Sequence, residues 1–261
     1  MKPTSIAAVN RLPDGQKREI YLRIVPRVLV ERFHLPPDFV DSQGRDLADL
    51  RCASGSTDVV LALRHQAEAP DPLLYAHVTD TMNGQMHVLL YIVNDPESPR
   101  FDVDRMPDGR PTEFGVFRRN LPAEQAALRA GLAPGQVRHG LRALRDSIEA
   151  FENLVASLGH DVFFVDPLFY HNAVVFESYG FGYQQGRRLM EGIHSGFLSG
   201  GALLAGLDSS SVFRQPGMAH SIRGRSWAIH DGLLGYPFTN VTMFKHVGRN
   251  AGVSTFPNGA W

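Results

Sequence analysis

Glu191-Gly192-Ile193-His194 sets a carboxylate and an imidazole three residues apart, a spacing that puts both on one face of a helix. Carboxylate-bridged di-iron sites use this pair, but they need two copies and two further Glu residues. The same spacing recurs at Glu31-Arg32-Phe33-His34, in the N-terminal arm. A mononuclear site would draw on Glu191 and His194 with His171 and His230, and with Glu177 at hand. It would make the chain a metal-dependent enzyme or a ligand-binding protein. Hydrolytic chemistry has less support. His230-Asp231 and His160-Asp161 are sequence neighbours, which does not give the oriented His–Asp contact of a triad. Ser209-Ser210-Ser211 lacks the Gly-x-Ser-x-Gly elbow. Arg223-Gly224-Arg225-Ser226-Trp227 reads as a compact basic loop that could grip a phosphate or carboxylate. It could equally pair with acidic groups of the core, and that structural role is the favoured one. As a nucleic-acid patch it is too small. Gly196, Gly200, Gly201 and Gly206 have no preceding βαβ context and so form no dinucleotide fingerprint. Cys52 is the single cysteine, so no intrachain disulfide forms, which fits a reducing compartment.

The elements that must position these groups can be read from periodicity. Residues 57–65, 73–81 and 87–93 alternate as strands, and Met82-Asn83-Gly84-Gln85 between the last two supplies a tight antiparallel turn. Residues 99–111 read as an extended surface segment and 113–118 as a short strand. Residues 122–132 read as a short helix with Pro122 in its first turn and Gly131 near its end. Val137, Leu141, Leu144, Ile148, Phe151, Leu154, Val155 and Leu158 form one apolar stripe of helical period. They predict a long helix over 137–158, closed by Gly159. Val162-Phe163-Phe164-Val165 fits a strand buried on both faces. Residues 168–179 read as a second helix stopped by Gly180, 181–183 as the start of a strand, and 187–198 as a third helix with Leu189, Met190, Ile193 and Phe197 inward. The first 51 residues read as an irregular arm whose apolar stretch, interrupted by Pro26, could be strand or helix. The last sixty residues read as irregular structure with short strands, held to the core by scattered aromatics.

The 261 residues divide on this reading into an N-terminal arm (1–56), a core (57–185) and a C-terminal extension (186–261). A formal net charge of −1 excludes a global pull toward nucleic acid or anionic lipid. No window reaches the eighteen apolar residues of a membrane span, and residues 1–14 lack the apolar stretch of a signal peptide. A cytoplasmic, soluble protein is expected.

The order hairpin, strand, long helix, buried strand, short helix, strand resembles the core of the GCN5-related N-acetyltransferase superfamily. Gly140, Gly159, the strand 162–165, Asn172-Ala173 and Phe176-Glu177-Ser178-Tyr179-Gly180-Phe181 carry the resemblance, closely over about 45 residues. The resemblance implies an α/β fold, a mixed, mostly antiparallel sheet with helices on both faces. The activity it implies is transfer of an acyl group from acetyl-CoA or another acyl-CoA to a small amine. It also places the coenzyme pyrophosphate on Gly135, Gln136, Val137, Arg138, His139 and Gly140, with Asn172 nearby, by helix N-terminal anion binding. Two positions depart from the family pattern. Val137 stands where Gln or Arg is usual, and Arg142 where a second small residue is usual, so that Arg138 and Arg142 would hold the anion by charge. Phe176 occupies the slot of the acidic Tyr, leaving Tyr170 or Tyr179 to protonate the thiolate. The implied partner is a small-molecule substrate, without nucleic acid or membrane; a homodimer is allowed. An acetyltransferase-like module that binds without catalysis is the third reading.

Overall fold

The computed structural model describes residues 2–115 and 118–261. It is a mixed α/β chain with a seven-stranded mixed sheet flanked by helices. The strands are β1 (Ala48–Arg51), β2 (Asp58–Leu63), β3 (Leu74–Asp80), β4 (Met86–Val93), β5 (Val162–Val165), β6 (Gly182–Gln185) and β7 (Thr242–His246). Their order is β1-β2-β3-β4-β5-β7-β6. The chain forms two compact units, each assembled from separated stretches of sequence.

The first unit comprises Met1–Glu97, Gly140–Asp166 and Phe244–Asn250. Its strands β1 to β4 pair antiparallel in sequence order. The β3–β4 hairpin closes as expected: Thr81 N–H donates to Gln85 O at 2.7 Å, and Gly84 takes φ +72°. Strand β5 lies parallel to β4. Parallel neighbours require a crossover, and the helix of that crossover is α5 below.

The first residues are helical rather than irregular. Helices α1 (Ile6–Val9), α2 (Asp14–Leu22) and α3 (Arg27–Arg32) precede β1. Pro26 is the N-cap of α3, so it separates two helices instead of kinking one. Asp80 at the end of β3 accepts the Ile6 and Ala7 N–H groups at 2.7 and 2.8 Å. The buried Asn10 donates to Ser56 O and Asp58 O. These long-range bonds, invisible to local periodicity, fix the arm.

The second unit comprises Ser98–His139, Pro167–Met243 and Ala251–Trp261. It holds α4 (Leu121–Arg129), α6 (Tyr170–Ser178), α7 (Arg187–Gly196), α8 (Ala202–Ala205) and α9 (Ile222–His230). Trp227 packs with Val103, Ala127, Leu132 and Phe213, and its indole N–H donates to Leu132 O at 2.8 Å. In the last sixty residues β7 is a short strand as expected, but helix α9 and the 3-10 turn Pro216–His220 stand where irregular structure was expected. The basic stretch 223–227 lies inside α9, not in a loop. A Cβ on Gly224 would stand 2.6 Å from Met218 O, so glycine here permits close backbone packing. The segment 113–118 is also corrected: Glu113–Gly115 forms a 3-10 turn, while Val116 and Phe117 lie outside the described residues.

Helix α5 spans Leu144–Ser157 and buries Ser147, Ile148, Phe151, Leu154 and Val155. The stripe is therefore right from Leu144 onward and wrong before it. Arg142 takes φ +57°, a left-handed conformation that breaks a right-handed helix. Val137 packs against the Trp227 cluster instead.

Candidate functional site

Strand β4 pairs with β3 along its whole length but with β5 only near its start. Against β3, His77 faces Leu90 and Val78 faces Val88, so Leu89 is an unopposed bulge residue. Against β5, the register runs over His87↔Phe164 and Val88↔Val165, and His87 Nε2 lies 3.1 Å from the Asp166 carboxylate at that end. Strand β4 continues to Val93. Residues 89–93 are only half-buried, although Leu89, Leu90, Ile92 and Val93 are apolar and lie inside the sheet. A strand in such a position is normally covered on both faces. Backbone groups on this side of β4 need partners, and β5, which ends at Val165, does not extend to meet them.

The start of α5 belongs to the same unit. Its N-cap, Ala143, has no side chain to cap the helix, so the first-turn N–H groups face outward with the positive end of the helix dipole. Arg142 and Arg145 are exposed there. Gly140 is also exposed; a Cβ on it would stand 3.6 Å from Val93 O, an ordinary contact.

Residues 135–139 of the expected coenzyme loop fall in the second unit and are engaged locally. A Cβ on Gly135 would come within 2.3 Å of the Phe169 ring, so this glycine makes room for an aromatic. Gln136 Oε1 accepts Ala133 N–H at 2.7 Å. Arg138 donates to Ser98 O, and His139 N–H donates to Ser98 Oγ at 3.1 Å.

The expected metal ligands are not brought together. Glu191 pairs with Arg187 at 2.8 Å. His194 Nδ1 lies 3.2 Å from Arg225 Nη1. Among the described residues no group of three His, Cys, Asp or Glu side chains could hold a metal.

His171 and His230 instead flank Phe169, with ring centroids 5.7 and 5.5 Å away. Asn172 Oδ1 accepts Phe169 N–H at 3.1 Å, which turns the amide NH2 toward His171 Nε2 at 3.2 Å. Nε2 is then the acceptor and Nδ1 carries the proton, donated to Ser226 Oγ at 2.9 Å. That polarity is opposite to what a serine nucleophile needs from a base. Burial depresses His171 to about 3, with His230 adding to the effect.

His230 Nε2 meets Glu124 Oε1 at 3.0 Å. Glu124 also binds Arg119, which in turn binds Asp231 at 2.7 Å, and Asp231 binds Arg214 at 3.0 Å. Although burial acts to raise both carboxyls, His230 and Arg119 hold Glu124, and Arg119 and Ser211 hold Asp231, below the ordinary range.

Tyr170 is 1% exposed and its hydroxyl makes no hydrogen bond of good geometry. Burial pushes it up to about 12, against the nearby Arg225 guanidinium. Tyr179 is half-buried at the end of α6. Arg225 donates to Ala219 O at 2.7 Å and stacks on Phe256 at 3.6 Å and Phe197 at 4.7 Å; Arg223 donates to Gly131 O at 2.8 Å. These arginines satisfy carbonyls and aromatic faces, not the acidic core groups that the structural reading of the basic stretch expected. The Leu89 bulge and the end of the β4–β5 ladder at Val88 lie outside what periodicity can give, because both are properties of pairing. The one local signal was the shortness of the strand 162–165 beside the longer 86–93.

Comparison with known proteins gives no match: no family model, no curated protein and no solved structure aligns with the chain.

Proposed function

We propose that the chain is an acyl-CoA-dependent acyltransferase of the GCN5-related type acting on a small amine. The observation that carries the reading is the open side of β4 past Val88, next to the uncapped first turn of α5. A coenzyme A molecule has the two features this arrangement suits. Its pantetheine arm is extended and carries amides, so it can pair with an open strand edge as an added strand does. Its pyrophosphate is an anion of the kind helix N-termini accept, with Arg142 and Arg145 adding charge. A backbone N–H released by the Leu89 bulge would polarise the thioester carbonyl as the amine attacks. The carbonyl–sulfur bond breaks as the carbon–nitrogen bond forms, and the amine proton passes to solvent as the thiolate leaves.

Isothermal titration with acetyl-CoA and CoA tests this. We expect binding in the range of about 1 μM to 1 mM, typical of enzyme substrates. Absence of heat up to millimolar coenzyme overturns the reading. Binding without turnover across a panel of amines would instead favour a non-catalytic module.

A further inference from the structure

We propose that Tyr91 and Ser147 are positioning residues that set the first turn of α5 against the open edge of β4; the inference rests on the acyl-CoA reading above. Tyr91 lies on β4 beyond the last β5 rung, and its hydroxyl donates to Ser147 Oγ at 2.8 Å. Ser147 Oγ donates in turn to Ala143 O at 2.7 Å. The same carbonyl accepts Ser147 N–H at 2.9 Å. A two-bond relay thus runs from the strand edge to the residue that precedes the first helical turn.

The residue types are not what packing alone would choose. The surroundings are apolar: Tyr91 meets the Phe151 ring edge-on at 5.2 Å, Phe151 stacks on Phe163, and Ile148 is buried. Phe at 91 and Ala at 147 would fill this space, and Ala would favour the helix more than Ser does. Serine also belongs more naturally at the N-cap, yet here position 143 is Ala and the hydroxyl sits one turn in, 1% exposed or less as a residue. The Tyr91 hydroxyl is held in one geometry because it would lose its partner without Ser147, whose own proton is committed to Ala143 O. Burial raises the Tyr91 phenol above its ordinary range, against the Ser147 bond, so it remains a donor throughout the physiological range. With no side-chain cap on α5, this relay fixes where the outward N–H groups point. Small displacements at a binding site are costly, about a hundredfold for 1 Å in favourable cases.

The test is acetyl-CoA titration of the full chain, comparing Tyr91→Phe, Ser147→Ala and Ser147→Thr well below each melting temperature. Tyr91→Phe and Ser147→Ala should weaken binding by about tenfold, roughly 1.4 kcal/mol. Ser147→Thr keeps a hydroxyl able to reach the carbonyl one turn back and should bind within about twofold of the parent. Hydrogen exchange supplies a second readout. In the parent, coenzyme should slow exchange at Leu144, Arg145 and Asp146; in Tyr91→Phe that protection should fall while the β2–β3 amides stay unchanged. A purely structural role would loosen both regions. If the parent binds and both hydroxyl-free variants bind equally well, the positioning role is overturned and the coenzyme reading stands. If the parent does not bind, both fall.

Discussion

At the scale of single residues, the chain keeps His171 neutral and takes the cost in acid. The ring is buried and its folded value near 3 lies below the 6.5 it has when unfolded. Between those values the unfolded chain binds the extra proton, so this group's stability is complete above pH 6.5 and drains away as pH falls toward 3. The slope from one such proton is at most about 1.4 kcal/mol per pH unit. His171→Phe should flatten the pH dependence of the urea midpoint between pH 6.5 and 4; an unchanged slope would show that His171 is protonated when folded. Glu124 and Asp231 work in the same direction at lower pH. Their folded values are depressed, so their contribution is present above the unfolded carboxylate range and is lost as acid protonates them. Glutamate at 124 was unremarkable in sequence, one more charge on a short helix. Only the fold brings it to His230 and Arg119, residues 106 and 5 positions away.

At the scale of elements, two glycines that carried the family resemblance are explained by helix capping. Helix α6 ends with Phe181 N–H donating to Phe176 O at 3.2 Å and Gly180 N–H to Glu177 O at 2.9 Å. Gly180 is left-handed at φ +83°. The Phe176 and Phe181 rings meet at 5.0 Å, the apolar contact that accompanies this type of C-cap. Helix α5 closes the same way: His160 N–H reaches Val155 O, and Gly159 sits at φ +84°. The Phe-x-x-x-Gly-Phe pattern is therefore a stop signal that any helix could use, and it supports the architecture more than the reaction. Glycines at positive φ can be ranked by what surrounds them. A Cβ at Gly159 meets nothing within 4 Å, whereas one at Gly135 strikes Phe169. Gly159→Ala should cost about 1–2 kcal/mol for the backbone conformation alone, and Gly135→Ala distinctly more. Equal urea midpoints for the two variants would contradict this.

At the scale of the whole molecule, the two tryptophans report separately. Trp227 is 0% exposed in the second unit's core, and Trp261 is 53% exposed. Acrylamide should quench one emitting fraction readily and one poorly, and Trp261→Phe should leave only the protected, blue-shifted one. Loss of the protected fraction in that variant would mean that Trp227 is not enclosed. The sequence by itself determined the hairpin around Gly84, the helices α4 to α7, the short strand 162–165 and the glycine stops. Each rests on interactions within a few residues, where periodicity and capping leave a readable pattern. The tertiary structure decided the rest: that the first residues are helical, that α5 begins at Leu144, that the basic stretch 223–227 is a helix, and that the metal-like residues go to different partners. It also decided that β4 loses its β5 neighbour after Val88. Those outcomes depend on long-range pairs such as Asp80 with Ile6, Trp227 with Leu132 and Glu124 with His230, and a pattern confined to neighbouring residues carries no record of contacts made across the fold.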